Sequence, residues 1–455
     1  MRDKVVGREN VLWINGEGQV KRMNRGGSVR ALRRIYALMS LSFVCAFILF
    51  SAIPVSAQNQ AESAHQLTLQ IYGNANEDDT IDMRDVTYIK LVIFGKKPST
   101  EFCDANYDGR VSMLDVVQTK LIIVGKEGKI TIVDSANRTV TVEKPIERIV
   151  VLSPDGYQAL RVLREDDKIV GITVEINRDW DWLIEEEKTL VGKRYGPDPE
   201  AILAVEPDLV IGEGWTIQNK LEGKIPENIA MIGLSFAKTE ILTEELSKLG
   251  YVLDKEDVVE DYLSNFRDKY VNLIKARTEG LSDEERPKMY VGVYPDKPYY
   301  VYFGGSVGVQ YAIDVAGGKN IFEDLPEWGG EVNPEEIIKS DPELVFYCIG
   351  QSGYEMDISE VKAMRESIME QIAVLNFTAV KTGEVYMVDT RTFFYGPSHP
   401  IGLSYMAKLL HPDLFVDLNP KEVLREYLKE WLRTDYDLDE HGVFIYHPVY
   451  YPDGK

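Results

Sequence analysis

The sequence predicts an α/β fold of two doubly wound lobes joined by one long helix, with a small α-helical module ahead of them. After residue 128, short apolar runs alternate with amphipathic helical segments, as in parallel sheets covered by helices. The predicted strands are "ERIVVL", "KIVGI", "DLVIG", "AMIGL", "KMYVGV", "LVFYC" and "EVYMVD". Ahead of them, "KITIVDSANRTVTVEK" (129–144) has the pattern of a hairpin.

An internal repeat indicates that the two lobes share one design. "PEAILAVEPDLVI" (199–211) aligns with "PEEIIKSDPELVF" (334–346) without a gap, and each copy predicts a helix that begins at proline and leads into an apolar strand. Between the copies, Val259, Phe266 and Ile274 belong to an apolar face at helical spacing. We therefore expect an N-terminal lobe at 129–255, a connecting helix at 256–281, a C-terminal lobe at 282–433 and a tail at 434–455.

The first 57 residues have the features of a signal peptide or an N-terminal anchor. An apolar run, 35–57, follows several arginines and ends in "PVSA", whose small residues suit a signal peptidase. We expect the chain to be exported and to be extracytoplasmic, on the cell surface or associated with the membrane.

The charge of the chain argues against nucleic acid as a partner. The sequence has 51 Lys and Arg against 74 Asp and Glu, a formal net charge of −23. Its 3 cysteines do not suggest a disulfide framework.

Two segments at 74–85 and 104–115, "NANEDDTIDMRD" and "DANYDGRVSMLD", have the pattern of calcium-binding loops. Calcium takes about six to eight oxygen ligands, which such a loop supplies from alternating positions. The predicted ligands are Asn74, Asn76, Asp78, Thr80, Asp82 and Asp85 in the first loop, and Asp104, Asn106, Asp108, Arg110, Ser112 and Asp115 in the second; Thr80 and Arg110 would use their backbone carbonyls.

We expect two structural calcium sites of unequal affinity. Gly109 occupies the sixth position of the second loop, where a left-handed backbone favours glycine, whereas the first loop has Asp79 there. The first site should therefore be the weaker one.

The paired loops, each followed by one helix and ending in Asp, resemble dockerin modules, which attach to cohesin domains in a calcium-dependent way. We assign this module to residues 58–128. The resemblance implies a cohesin-like partner, bound through exposed helix residues of which Thr87, Tyr88, Val117 and Gln118 are the candidates.

Three features of residues 130–433 occur in a characteristic order: "PIERIVVLSPDGYQAL" (145–160), the two helices that begin "PE", and "HPIGLSYMAKLLHPDLF" (399–415). Together they resemble the substrate-binding proteins of ABC importers for iron chelates and cobalamin. The resemblance implies a non-enzymatic protein that delivers a metal chelate to a membrane permease. It also implies that Glu200 and Glu335 pair with arginines of the permease; as first-turn acids, both would complement a helix dipole as well.

Ligand-binding residues are expected at the carboxyl ends of the strands, which face the cleft between the lobes. Aromatic faces hold flat chelates, and arginines hold anionic rims. The candidates are Ser153, Pro154, Asp155, Tyr157 and Trp215 in the first lobe, and Tyr294, Tyr299, Tyr302, Trp328 and Arg391 in the second. A half-buried strand is the alternative for the tyrosines, and a structural ion pair is the alternative for Arg391.

Other functions fit parts of the sequence less well. An enzyme of similar shape would need cysteine ligands or a nucleophile with its base, and Cys348 stands alone. The second alternative is a dockerin-bearing cell-surface scaffold or adhesion protein with a non-transport α/β domain. Because His399 and His411 are expected to pack within the closing helix, we favour a pre-chelated metal over a bare ion, with ferric siderophore, haem and corrinoid left open.

Overall fold

The computed structural model describes residues 68–350 and 352–455. The predicted signal peptide or anchor, 1–57, and the start of the predicted calcium module lie outside the described residues. None of the helices in the described part combines the length and the apolarity needed to span a bilayer.

The N-terminal module is built on two helices, α1 (Met83–Ile93) and α2 (Met113–Ile123), each of which follows one predicted calcium loop. Both helices begin with a capping box. The pairs are Asp82 with Asp85 and Ser112 with Asp115. In each pair, the side chain of either residue accepts a hydrogen bond from the backbone N–H of the other. Val86 and Val116 pack together with Cys103 in a small separate core.

The module is joined to the rest of the chain through a hairpin, β1 (Lys129–Val133) and β2 (Thr139–Glu143). The Tyr72 N–H donates to the Thr131 carbonyl and the Val133 N–H donates to the Gln70 carbonyl, both at 2.9 Å. The chain ahead of the first loop therefore lies beside β1, where Ile71 and Ile132 form an isolated antiparallel bridge.

The strands of the N-terminal lobe are β3 (Ile149–Val151), β4 (Ile169–Ile172), β5 (Thr189–Leu190), β6 (Gly192–Lys193), β7 (Gly196–Pro197), β8 (Leu209–Gly212) and β9 (Ala230–Gly233). Among the described residues, five of them form a parallel sheet with the order β5-β4-β3-β8-β9, and β6 and β7 form a small two-stranded ribbon. Its helices are α3 (Pro154–Val162), α4 (Val174–Trp180), α5 (Pro199–Ala204), α6 (Gly214–Thr216) and α7 (Leu242–Leu253).

The lobes are connected by a continuous helical run made of α8 (Glu256–Tyr262), a π-helical turn (Leu263–Arg267) and α9 (Asp268–Thr278). The apolar face predicted from the sequence is buried, with Val259, Phe266 and Ile274 in the main core. The run ends at Thr278, three residues before the predicted boundary at 281, ahead of Gly280.

The strands of the C-terminal lobe are β10 (Lys288–Tyr294), β11 (Lys297–Tyr302), β12 (Lys319–Asn320), β13 (Gly329–Glu331), β14 (Leu344–Cys348), β15 (Val385–Val388) and β16 (Ile445–Tyr446). Among the described residues they form a mixed sheet with the order β13-β11-β10-β14-β15-β16, and β12 pairs with the start of β10. Its helices are α10 (Val307–Val315), α11 (Pro334–Ser340), α12 (Ile358–Ile372), α13 (Thr378–Thr382), α14 (Thr390–Phe394), α15 (His399–Leu410) and α16 (Pro420–Glu426).

The predicted α/β fold is confirmed, and all seven apolar runs singled out in the sequence coincide with strands. Residues 434–455, expected as a tail, are instead part of the C-terminal lobe. Strand β16 pairs antiparallel with β15 at the sheet edge, and the Tyr436 ring contacts Trp182 of the N-terminal lobe at 4.7 Å. Short strands of this kind have no periodicity that a sequence pattern could reveal.

We expect Phe444→Ala to lower the free energy of unfolding by about 3–5 kcal/mol, the range typical of a fully buried phenylalanine. Phe444 is buried, and its ring lies 4.8 Å from that of Tyr354. Urea denaturation followed by circular dichroism would measure the change. Val449→Ala, at an exposed position of the same segment, should change stability by less than about 0.5 kcal/mol. Equal stability of the two variants would show that the segment does not contribute to the fold.

Candidate functional site

A cleft of about 620 Å³ lies between the lobes and is lined by residues from both. The carboxyl ends of the parallel strands meet there, as expected for sheets of this type. Asp155 follows β3, Glu213 and Trp215 follow β8, and Thr390 and Arg391 follow β15. The loops and first helical turns that follow these strands, in both sheets, therefore line the same cleft.

Six of the ten candidate ligand residues line this cleft: Asp155, Trp215, Tyr294, Tyr302, Trp328 and Arg391. The other four have structural positions beside it. The Ser153 side chain caps α3 by accepting from the Gly156 N–H at 3.1 Å, and Pro154 begins that helix. Tyr157 is buried against Trp180, and Tyr299 packs on the second core of the C-terminal lobe. A loop position after a strand thus predicts the cleft, but it does not decide which way each side chain faces.

The cleft is also lined by residues that sequence reasoning did not select, among them Arg194, Tyr195, Lys238 and Tyr395. Arg194 and Tyr195 lie in the turn between β6 and β7, two strands of two residues each. The sequence signal for these two residues was an arginine next to a tyrosine in a turn that contains glycine. This signal is too common to identify a binding site unless the fold is known.

Exposed aromatic side chains surround the cleft on both lobes. Tyr195 and Trp215 are 58% and 56% exposed in the first lobe, and Tyr294 and Trp328 are 40% and 47% exposed in the second. The Tyr195 and Trp215 rings meet edge to face at 6.4 Å, and the Tyr302 and Trp328 rings at 4.8 Å. Large aromatic surfaces left open to water in one concavity indicate a binding site for a ligand with apolar faces.

The floor of the cleft is a network of ion pairs. The Arg194 Nε donates to Glu213 at 2.6 Å, and its Nη2 donates to Asp155 at 3.2 Å. Burial by itself would lower the pKa of Arg194, but Asp155 and Glu213 raise that pKa above its usual value. The guanidinium therefore stays charged inside the cleft.

Arg391 connects the lobes across the same floor. This residue of α14 pairs with Asp179 of α4, and its Nη1 lies 4.0 Å from the Asp155 carboxylate. Of the two expectations for Arg391, ligand residue and structural ion pair, the structure therefore shows the ion pair directly and also places the side chain on the cleft wall.

The histidines considered for a bare metal do not lie at the cleft. His399 is buried in α15 with its Nδ1 3.0 Å from the Gly396 carbonyl, and burial lowers the pKa of His399 to about 3. His411 ends the same helix, where its Nε2 lies 2.9 Å from the Gly317 carbonyl. Both histidines have packing roles.

Glu200 and Glu335 are exposed at equivalent positions of α5 and α11, one on each lobe. Each helix has proline at its first position. The preceding side chains, Asp198 and Asn333, accept from the Glu200 and Glu335 N–H groups at 3.0 Å. Neither carboxylate has an ion-pair partner among the described residues, so both are available to an external cation.

The second predicted calcium loop has the backbone that such a loop requires. Gly109 has a φ of +86°, and the Gly109 N–H donates to Asp104 at 2.7 Å. The Asp115 carboxylate is buried and accepts from the Asn106 and Ser112 N–H groups. These bonds gather the predicted oxygen ligands around one turn.

The first loop departs from this geometry. The departure is at the sixth position, where Gly109 has a positive φ and Asp79 does not; at the fourth position the two loops agree, with a φ of 59° at Glu77 and 55° at Tyr107. The Arg84 guanidinium contacts Asp78 at 3.1 Å and Asp82 at 2.8 Å, and thus neutralises two of the predicted ligands. One buried acceptor, the Asn74 Oδ1, has no hydrogen-bond donor.

The first loop also contacts the N-terminal lobe. The Ile81 N–H donates to the Tyr251 hydroxyl of α7 at 3.0 Å rather than to the other loop. Within the described residues, no three His, Cys, Asp or Glu side chains converge on a common metal position. Calcium would therefore depend on the amide, hydroxyl and backbone oxygens of each loop together with its carboxylates.

Comparisons with known proteins agree with this architecture. A family model described as periplasmic binding protein matches residues 149–392. An uncharacterized ABC transporter substrate-binding lipoprotein from Bacillus subtilis is 25% identical over 63% of this chain and 87% of its own length. A cobalamin-binding protein from Halobacterium salinarum is 25% identical over 57% of this chain and 68% of its own length.

Solved structures share the fold. A TroA-like periplasmic binding protein from Veillonella parvula superposes with a TM-score of 0.58 at 19% identity, over 70% of this chain and 99% of that one. The family model covers more than half of the chain and includes parts of both lobes and every residue named here as lining the cleft except Tyr395. The chain belongs to the periplasmic binding protein family.

Proposed function

We propose that this protein is the extracytoplasmic substrate-binding protein of an ABC importer and that it captures a metal chelate in the cleft between its lobes. The observation that carries the proposal is the set of four exposed aromatic rings, two on each lobe, that surround the ion-paired floor. Such rings hold the flat faces of a corrinoid, a haem or an aromatic ferric chelate. The relatives named as ABC transporter and cobalamin-binding proteins support the same reading.

The alternative of a surface scaffold with an inactive α/β domain is less well supported. A domain that no longer bound a ligand would not need to keep large aromatic side chains exposed in its cleft, where they cost solubility. It would also not need unpaired carboxylates at two equivalent positions, Glu200 and Glu335.

We also propose that the loops at 74–85 and 104–115 bind structural calcium and that the module attaches to a cohesin-like partner. Support comes from the capping boxes and the gathered oxygens of the second loop. On the helix surface, Thr87 and Val117 are exposed and free to contact a partner. Gln118 is less available, because its side chain donates to the Lys129 carbonyl at 2.8 Å.

We expect Trp215→Ala to weaken chelate binding by about tenfold, which corresponds to about 1.4 kcal/mol, because one stacking face of the cleft is removed. Titration with cyanocobalamin, haem and ferric chelates, followed by tryptophan fluorescence and by visible absorption, would identify the ligand and measure the change. Phe94→Ala removes an exposed ring from the N-terminal module and should leave binding unchanged. Failure of the wild-type protein to bind any of these chelates would refute the importer function.

We expect Glu200→Arg and Glu335→Arg to abolish uptake of the chelate while its affinity for the purified protein stays within about twofold, because both residues lie away from the cleft. Uptake of labelled chelate into proteoliposomes that contain the permease would measure the first effect, and calorimetry the second. Glu336→Arg, an exposed neighbour on α11, is the matched control. Normal uptake by the double variant would remove these residues from the permease contact.

We expect calcium calorimetry to show two sites of unequal affinity. Asp104→Ala should abolish the tighter site, since Asp104 organises the second loop. Arg84→Leu should tighten the weaker site by about threefold or more, because a competing positive charge is removed; the equivalent residue of the second module half is Leu114. A stoichiometry that Asp104→Ala leaves unchanged would refute the loop assignment.

A further inference from the structure

We propose that Tyr251 of the N-terminal lobe is a positioning residue for the first calcium loop, so that this site is shared between the module and the lobe. The inference rests on the proposed calcium binding and identifies the residue through which the lobe acts on one of the two loops. Its basis is the peptide group between Thr80 and Ile81. The N–H of that peptide is held by the lobe, and its carbonyl is a predicted calcium ligand.

The donor set of the first loop fits a calcium ion. The predicted ligand positions supply amide, carboxylate and carbonyl oxygens, which are the groups that calcium takes. The loop is also wound as such a site requires. The Asp85 carboxylate, at its last position, accepts from the Asn76 N–H at 3.0 Å and from the Asp82 N–H at 2.8 Å. The Asp78 side chain accepts from the Thr80 N–H at 3.1 Å.

The lobe fixes the orientation of the Thr80 carbonyl. The Ile81 N–H donates to the Tyr251 hydroxyl at 3.0 Å, and both residues are buried. Because a trans peptide is planar, its N–H and C=O point in opposite directions, so a fixed N–H also fixes the direction of the Thr80 carbonyl. Within the described part of the chain this carbonyl accepts no hydrogen bond, so it is available to a cation. An amide whose N–H is engaged is also a stronger acceptor at its oxygen.

Tyr251 is itself firmly held. It lies in the last turn of α7, and its ring belongs to the main core. Its carbonyl accepts from the Lys144 Nζ at 2.8 Å, and Lys144 also pairs with Glu127 and Asp254. The hydroxyl is therefore already in place, and the loop can use it without the entropy cost of ordering a mobile side chain.

The two loops differ in the core that their eighth position joins. Ile81 belongs to the main core shared with the lobe, whereas Val111, at the equivalent position of the second loop, packs on the small core of the module. The Tyr251 hydroxyl therefore acts on the first loop. Because coupling between sites is reciprocal, a lobe residue that tightens the first site is itself stabilised when that site is filled.

The test measures the first loop alone, in the whole protein carrying Asp104→Ala, which removes the second site. We expect Tyr251→Phe, which keeps the buried ring and deletes the hydroxyl, to weaken calcium binding at the first loop by about fivefold, as for one lost hydrogen bond. Calorimetry would measure the change. With Asp104 restored, Tyr251→Phe should alter the affinity of the second site by less than about twofold, because separate sites respond independently.

Tyr405→Phe is the matched control. Tyr405 is also buried, and its hydroxyl has no hydrogen-bond partner among the described residues, so both calcium affinities should stay unchanged. Hydrogen exchange of 242–253 gives a second readout, in the Asp104→Ala protein. Calcium should slow this exchange, and Tyr251→Phe should remove the slowing, an effect that a hydroxyl with only a structural role would not produce.

The remaining outcomes separate the two proposals. An unchanged affinity of the first loop in a folded Tyr251→Phe variant, or an equal loss at both loops, would overturn the role of this hydroxyl while calcium binding stands. Failure of the Asp104→Ala protein to bind calcium would show that the first loop is not a site and would overturn the inference. If the wild-type protein binds no calcium, the proposed calcium sites fail, and this inference fails with them.

Discussion

The ion pairs at the floor of the cleft are the interaction on which the functional part of the structure depends. Arg391, which follows the last parallel strand of the C-terminal lobe, pairs with Asp179 of the N-terminal lobe and approaches Asp155. Arg194 holds Asp155 from the other side. Separating the lobes would leave the Arg391 guanidinium without an acidic partner, whereas Asp155 keeps Arg194 and Asp179 keeps Arg178 within the N-terminal lobe. Arg391 is therefore the charged group through which the floor of the cleft joins the two lobes.

The connecting helix and the C-terminal segment support this arrangement from the opposite side. The Phe266 ring of the helical run contacts Tyr427 and Trp431, and the Tyr436 ring contacts Trp182 of the first lobe. Aromatic contacts of this kind bury large apolar areas and resist separation. The two lobes are thus in contact through charged groups at the cleft and through packed aromatic rings behind it.

The N-terminal module is integrated with the lobe rather than loosely tethered to it. Its first loop donates to the Tyr251 hydroxyl, the segment ahead of that loop bridges to β1 at Ile71, and Lys144 pairs with both Glu127 and Asp254 at the boundary. Cation binding in the loops would act on a segment that is continuous with the main core, which includes Ile81 and Ile122.

Periodicity and local chemistry in the sequence determined the α/β class, the strands, the proline-capped helices that place Glu200 and Glu335, and six of the residues that line the cleft. These features depend on neighbours along the chain, so a linear pattern carries them. Tertiary structure alone decided that Arg194, Tyr195 and Lys238 reach the cleft, that Ser153 and Tyr157 do not, that Arg84 occupies the first loop, and that 434–455 completes a sheet. Each of these outcomes depends on side-chain direction or on pairing between residues far apart in the chain, and no spacing in the sequence encodes such contacts.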